Sequence, residues 1–499
     1  MDTGSPRLRE IVPACLFAGM GMVFAGTYLD KVKRTQAEQF DPQLLAIIPP
    51  LIGLKGNLEV TLSSRLATLA NIKTEVNRQA IQMFFSTLAY ILMQGVSAAI
   101  VISTLCVVMY SPTEYKFANL LHLTAVSVIT CTLALCTLSF LVFALIVCCM
   151  YLGTDPDNVA PPMAAAFGDL GTVTLLLWAN YYSSEFPDGA QILALVILLA
   201  VFFFGPFLLR CDETMNTPTE LRGLLINRNT LMGSITPLLG AVLMSSLSGQ
   251  VLAHFDQRLK NLARLQIAIN GVGGCFGSIV VSRMITRIHA ARKRPLSPPW
   301  SRKPSNEVDQ NQHEHCTSPE CSSDVPQSET NSSPFLSSLL CNCRHFISTE
   351  HDHSIANSQR QLELDVESDS RRASRLILFC CLPIHLILAM VSLMLHEVLE
   401  SEDGHATLPL STIVAYLSAG FLQVFIVLHF ATWIVVTCWR HLTSPRSGAS
   451  CLCAPRTMDP HPSLASLDLA AIALTTGLGD LIGSILLATS MHLSQTMLH

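Results

Sequence analysis

Residues 51–68 read LIGLKGNLEVTLSSRLAT, and residues 269–286 read INGVGGCFGSIVVSRMIT. Aligned without gaps, Gly53 meets Gly271, Gly56 meets Gly274, Ser64-Arg65 meets Ser282-Arg283 and Thr68 meets Thr286. A second pair follows: residues 157–170 read DNVAPPMAAAFGDL and residues 468–481 read DLAAIALTTGLGDL. Here Asp157 meets Asp468, and Gly168-Asp169-Leu170 meets Gly479-Asp480-Leu481. The offset is 218 residues in the first pair and 311 in the second. The difference, 93, is close to the length of a polar segment, 290–375, lying between the two second-half motifs. One duplication and one inserted loop account for both offsets. Repeats of this kind are a common way to build a membrane transporter.

The surrounding chain is membrane-like. Half of its 499 residues are hydrophobic and 13% are charged, against about 25% charged in soluble domains. Long apolar runs alternate with short polar breaks. A bilayer core takes about 20 apolar residues per helix, and backbone facing lipid must satisfy its own hydrogen bonds. The runs therefore predict helices, an all-α polytopic protein with eleven spans: 10–29, 44–70, 80–109, 119–150, 160–182, 189–209, 229–253, 265–288, 376–397, 408–438 and 468–490. The ten-residue alternation of a membrane β-barrel is absent. A net charge of −5 is too small to suggest a nucleic-acid partner. Most of the 17 cysteines, Cys106, Cys131, Cys136, Cys148, Cys149, Cys380 and Cys381 among them, fall inside apolar runs, where they read as small buried hydrophobes. The run after Arg7 and Arg9 is long enough to remain as a signal-anchor helix.

The short loops set a direction. With a cytosolic N-terminus, Lys73, Arg78, Arg210, Arg222, Arg228 and Arg292 to Arg294 lie inside, and the acidic segment 396–405 lies outside. Lys31, Lys33, Arg34, Arg258, Lys260 and Arg264 run against this rule. Residues 290–375, rich in Ser, Pro, Asn, Gln and charge, read as a disordered cytosolic loop. Its scattered Cys and His, from His313 to His345, match no zinc-finger spacing. The domain plan is a first five-helix repeat over 1–187, a linking helix and loop over 188–227, and a second repeat over 228–289 and 376–499. An odd-numbered unit alone would invert the second copy. The sixth span restores its orientation, so the halves are expected to be parallel, an internal pseudo-dimer about an axis along the membrane normal.

Asp169 and Asp480 fall well inside apolar helices, where a carboxylate is costly and function is the default reading. The bland alternatives are a protonated acid or a helix-packing Asp bonded to neighbouring backbone. Repetition of Gly-Asp-Leu in both copies argues for function, with glycine leaving room for a close backbone or a hydrated ion. Asp157 and Asp468 lie twelve residues earlier, about 18 Å along a helix, nearer the cytosolic mouth. Magnesium takes hard oxygen ligands, keeps several waters and needs only one or two carboxylates. Asp169, Asp480, Asp157 and Asp468 are therefore the candidate metal contacts. Gly53, Gly56, Asn57, Glu59, Asn270, Gly271 and Gly274 are candidate pore-lining residues. The glycines either allow tight helix packing or break their helices and aim carbonyls at the path. Lys55 is a cation beside a cation path, and Glu59, one turn on, is its expected partner.

At these motifs the sequence resembles the MgtE-like magnesium transporters, in particular the eukaryotic solute-carrier branch with two fused MgtE-type domains. The segments that carry the resemblance are Pro50 to Arg65 with its GLKGNLE run, Asp155-Pro-Asp-Asn158 with Gly168-Asp169, Ile269 to Gly274, and Gly477 to Asp480. The resemblance implies magnesium transport, five-span domains and a pore at their interface. The family's central ion-binding acid maps onto Asp169 and Asp480, and its cytosolic-side contacts onto Asp157 and Asp468. The second half departs from the pattern at Cys275, where the family has an amide, and at Leu469. Both changes bear on ion choice, a thiol favouring softer metals.

Two rivals come from other classes. Gly477-Leu-Gly-Asp480 matches the Gly-x-Gly-Asp of intramembrane aspartyl proteases, but no Tyr-Asp dipeptide accompanies it, and duplication explains both acids. A non-transporting scaffold or sensor is the other. The expectation is thus no enzyme and no resident cofactor. Magnesium or another divalent cation is the cargo, with sodium or proton coupling open, and a plasma-membrane bilayer is the setting.

Overall fold

The computed structural model describes residues 8–35, 42–72, 78–110, 117–152, 156–213, 228–259, 261–293, 334–399, 409–443 and 464–496. They form eleven helices and, among the described residues, no strand: α1 (Leu8–Thr35), α2 (Pro42–Ile72), α3 (Arg78–Tyr110), α4 (Phe117–Leu152), α5 (Pro156–Glu185), α6 (Pro187–Glu213), α7 (Arg228–Phe255), α8 (Leu262–Lys293), α9 (Pro334–Leu399), α10 (Leu410–Thr443) and α11 (Leu464–Thr496). Four of them (α2, α5, α6 and α9) begin on a proline, whose fixed φ suits a first turn and whose missing N–H is not needed there. Met1–Ile285 with Glu367–His499 make one compact unit. Thr286–Val366 make a second, whose described parts are the end of α8 and the beginning of α9.

Each of the eleven expected spans lies on one helix. Among the described residues, eight helices (α3, α4 and α6 to α11) contain a stretch long and apolar enough to cross a bilayer. α2 carries Lys55, Glu59 and neighbouring polar groups, yet this helix is deeply packed, with Leu44, Ile47, Ile48, Leu54 and Leu62 all essentially inaccessible. At the opposite extreme, only 17% of the apolar window of α6 is buried inside the protein, against 72% for α8. Ile192, Leu195, Val196, Leu199, Phe203 and Phe204 of α6 face outward. Such a surface would be an aggregation hazard in water and is ordinary against acyl chains. The linking helix is therefore peripheral, resting on α3, α4 and α5.

Helices at equivalent places in the sequence repeat have similar neighbours. α5 packs on α1 and α4, and α11 packs in the same way on α7 and α10. Two close approaches join the copies reciprocally. Gly26 of α1 lies against the backbone of Arg264 on α8, and Gly249 of α7 lies against the backbone of Ala46 on α2. Ala46 and Arg264 stand at the same 218-residue offset as the sequence repeat. A Cβ at either glycine would collide with main chain; small residues are what allow membrane helices to approach this closely.

Two expectations are corrected. The glycines of α2 and α8 do not break their helices, which run on without interruption; internal hydrogen bonding of the backbone prevails over the low helix preference of glycine. The polar segment 290–375 is helical from Pro334 onward. Asp369, Ser370, Ala373 and Ile377 make a buried stripe along α9. Ser370 bonds Thr432 at 2.7 Å and Arg283 pairs with Asp369 at 3.7 Å. Small and polar residues make up most of that stripe, so it escapes a search for apolar periodicity. Asn331 and the Cys/His positions from His313 to Cys321 lie outside the described residues, as do the side chains of Cys341, Cys343 and His345.

Three of the basic residues that opposed the charge rule, Lys33, Arg34 and Arg264, are tied into the fold. Lys33 pairs with Asp256, and Arg34 donates to Asp30 at 2.8 Å and to Asn261 at 3.0 Å. Arg264 is 1% exposed. Burial pushes the Asp256 carboxyl above the ordinary carboxylate range, and the bond and charge of Lys33 oppose the shift. Cations tied into the fold in this way weigh little as loop charges.

Candidate ion site between the two copies

A cavity of about 140 Å³ opens between α2, α5, α8 and α11, with Met22 of α1 on its wall. That is room for several waters. Asp169 and Asp480 both line it, as do Gly53, Gly56, Asn57, Glu59, Asn270, Gly271 and Gly274. The four helices thus bring together both deep acids and all seven residues picked out as pore-lining. Asp157 and Asp468 lie near the N-terminal ends of α5 and α11, and their side chains are outside the described residues.

The two acids have different surroundings. Asp169, 5% exposed, accepts a hydrogen bond from Lys55 Nζ at 3.1 Å, and the same ammonium pairs with Glu59 Oε2 at 3.1 Å. Glu59 is the expected partner of Lys55 and Asp169 is an additional one. Gly168 makes this possible. A Cβ there would land on the Lys55 ammonium, so glycine before the acid admits a lysine head group rather than another backbone. Asp480 accepts from Ser245 Oγ at 2.7 Å. Below it, Ser484 Oγ accepts from Gln266 Nε2 at 2.6 Å and from Asn270 Nδ2 at 3.1 Å, and donates to the Asp480 carbonyl at 2.7 Å. Thr476 Oγ1 donates to Asn57 Oδ1 at 3.0 Å, and Gln423 Nε2 to the Gly479 carbonyl at 2.9 Å.

The difference follows from the repeat. At the 218-residue offset Lys55 corresponds to Gly273, Asn57 to Cys275 and Glu59 to Gly277. The second repeat has no counterpart of the charged pair, and Gln423 and Thr475 lie beside those glycines. Gly53 faces Ser245 and Asp480, whereas its counterpart Gly271 faces the Met22 thioether.

Ser245, Gln266, Thr476 and Ser484 were not singled out from the sequence. Spacing held a signal for three of them. Gln266 and Asn270 are four apart on α8, and Thr476, Asp480 and Ser484 follow at intervals of four on α11, so each set shares a helix face. Among the described residues no three His, Cys, Asp or Glu side chains converge as a metal cage.

Comparison with known proteins adds the family. The family model for MgtE, described as a divalent cation transporter, matches residues 48–179, the stretch from α2 to α5 that carries Lys55, Glu59 and Asp169. Solute carrier family 41 member 2 of Xenopus laevis is 27% identical over 489 residues, 97% of this chain and 71% of that protein. The chain is thus similar to the MgtE family over residues 48–179 and to eukaryotic solute carrier family 41 proteins over nearly all of its length. Two further relatives of this MgtE-like chain are solute carrier family 41 member 3 of Rattus norvegicus and of Mus musculus. The rat protein is 27% identical, covering 96% of this chain and 85% of its own length. The mouse protein is 30% identical over 285 residues, 56% of each. No solved structure matches. Likeness to these transport proteins, with eight helices apolar enough to cross a bilayer among the described residues, supports a multi-pass membrane transport protein rather than an enzyme and tells against the protease reading of Gly477 to Asp480.

Proposed function

We propose that this protein carries a divalent cation, magnesium, across a bilayer by way of the cavity between its two copies, with Asp169 and Asp480 as the acids that attract and hold the ion. One observation carries the reading: two acids from equivalent positions of a duplicated sequence line one cavity, together with the hard oxygens of Asn57, Glu59, Gln266, Asn270, Thr476 and Ser278. Magnesium gives up its waters reluctantly, and the cavity suits an ion that stays partly hydrated. Asp157 and Asp468, twelve residues before the deep acids, serve on this reading as contacts at the cytosolic mouth. A cytosolic N-terminus and a plasma-membrane setting go with it.

Reconstitution of the full chain in liposomes tests the proposal, with a magnesium-sensitive dye inside. Wild-type protein should give magnesium-dependent flux, and Asp169→Asn plus Asp480→Asn should abolish it. Equal flux in wild type and double variant would refute a role for these acids. Repeating the assay with and without sodium or proton gradients separates a channel from an exchanger.

A further inference from the structure

Beyond the two repeat-related acids, the cavity holds a third carboxylate and a lysine, and the sum of these charges bears on which ions the site accepts. Among the described lining residues Glu59, Asp169 and Asp480 carry carboxylates, Lys55 carries the one ammonium, and the Cys275 thiol is the remaining ionisable group. Lys55 is 2% exposed and lies 3.1 Å from both Glu59 and Asp169. Its counterpart in the second copy is Gly273, so nothing duplicates its charge. A second observation marks the cavity as a place for a ligand. Glu59 Oε1, Gln266 Oε1 and Asn270 Oδ1 are buried acceptors without a hydrogen-bond partner, and all three residues line the cavity. Buried acceptors are ordinarily satisfied, and three residues of this cavity wall each keep an acceptor oxygen that the protein supplies with no donor.

We propose that Lys55 is the valence-setting residue of the ion site: its tethered ammonium reduces three buried carboxylates to a net charge of −2, which one divalent cation cancels. The inference rests on the reading of this cavity as the cation site. Uncompensated buried charge is strongly disfavoured. A monovalent ion would leave the site at −1 and a trivalent ion would take it to +1; only a divalent ion leaves it neutral. Lys55 acts here through charge and position rather than as a ligand, since an ammonium has no acceptor to offer a metal. A lysine present only to hold α2 and α5 together would make no distinction among ions.

The test is titration calorimetry on the purified full chain in detergent, with magnesium, sodium and gadolinium chlorides. At the effective dielectric of a protein site, one unit of charge about 5 Å away changes the relative affinity for ions differing by one unit of charge about a hundredfold. Lys55→Met takes the site to −3 and should raise the gadolinium-over-magnesium affinity ratio by about that factor. Glu59→Gln takes it to −1 and should lower the magnesium-over-sodium ratio by about that factor. The double variant should restore both ratios. If Lys55→Met does not give monodisperse protein, Glu59→Gln decides alone. Ratios unchanged from wild type overturn the proposal. Wild-type protein that binds magnesium and shows these shifts, yet passes no ion in liposomes, overturns transport and leaves this inference standing. Flux with unmoved ratios does the reverse.

Discussion

Adding a single methyl group at two glycines should have opposite consequences. At Gly249 a Cβ would overlap the Ala46 main chain. A helix backbone cannot turn aside as a side chain can, so α2 and α7 must separate. Overpacking of a well-filled interior costs about 1–3 kcal/mol, and obstruction by backbone places Gly249→Ala in the upper part of that range. Gly56 is also inside a helix, but a Cβ there would meet nothing within 4 Å, because it points into the cavity. Gly56→Ala should leave stability unchanged or raise it by up to about 1 kcal/mol, the helix-propensity gain measured in water. Its methyl occupies roughly the place of one water in the cavity of about 140 Å³. Magnesium flux should therefore fall severalfold while the protein stays folded. Thermal unfolding in detergent, read alongside flux in liposomes, separates the two outcomes. A Gly249→Ala protein as stable as wild type, or a Gly56→Ala protein that loses stability, would refute this account of the packing.

Three further outcomes follow from contacts already described. Lys33→Ala strands the buried carboxylate of Asp256; because Lys33 is itself about a quarter exposed, the loss of stability should be about 1–3 kcal/mol rather than that of a fully buried pair. Thermal unfolding of Lys33→Ala beside Lys33→Ala/Asp256→Asn checks it, and the double variant should recover most of the loss. Gly168→Ala pushes the flexible Lys55 head group off Asp169 and should raise the gadolinium-over-magnesium ratio severalfold without unfolding the protein; an unmoved ratio would show that the ammonium need not touch Asp169. Cys275→Asn gives the second copy the amide that the first carries at Asn57 and should lower competition by cadmium relative to magnesium, since removing a thiol removes the soft donor.

The spans could be read from the sequence because lipid imposes one rule on every residue of a helix at once. Runs such as those of α3, α4 and α10 are apolar throughout and can be read without partners. The duplication could be read because glycines at 53, 56, 271 and 274 and the Gly-Asp pairs keep their spacing. Contacts between distant helices could not. Lys55 shows its bond to Glu59 one turn away, but not its bond to Asp169, 114 residues further on. Ser245 is an unremarkable serine in α7 until α11 brings Asp480 to it. The stripe on α9 was hidden for a different reason: Asp369, Ser370 and Ala373 are buried by pairing with Arg283 and Thr432 and by close packing, and hydropathy detects neither.

The unequal treatment of positions 55 and 273 bears on how such a protein could arise. When two identical chains associate, a substitution made in one is made in both, so a charge cannot be present on one wall of a shared site and missing from the other. Joining the copies in one chain, with α6 as the bridge, ends that obligation. Each half can then be selected for a separate task, one keeping a fixed positive charge and the other the neutral amides and hydroxyls. A single polypeptide thereby gains a choice that a symmetric pair of subunits never has.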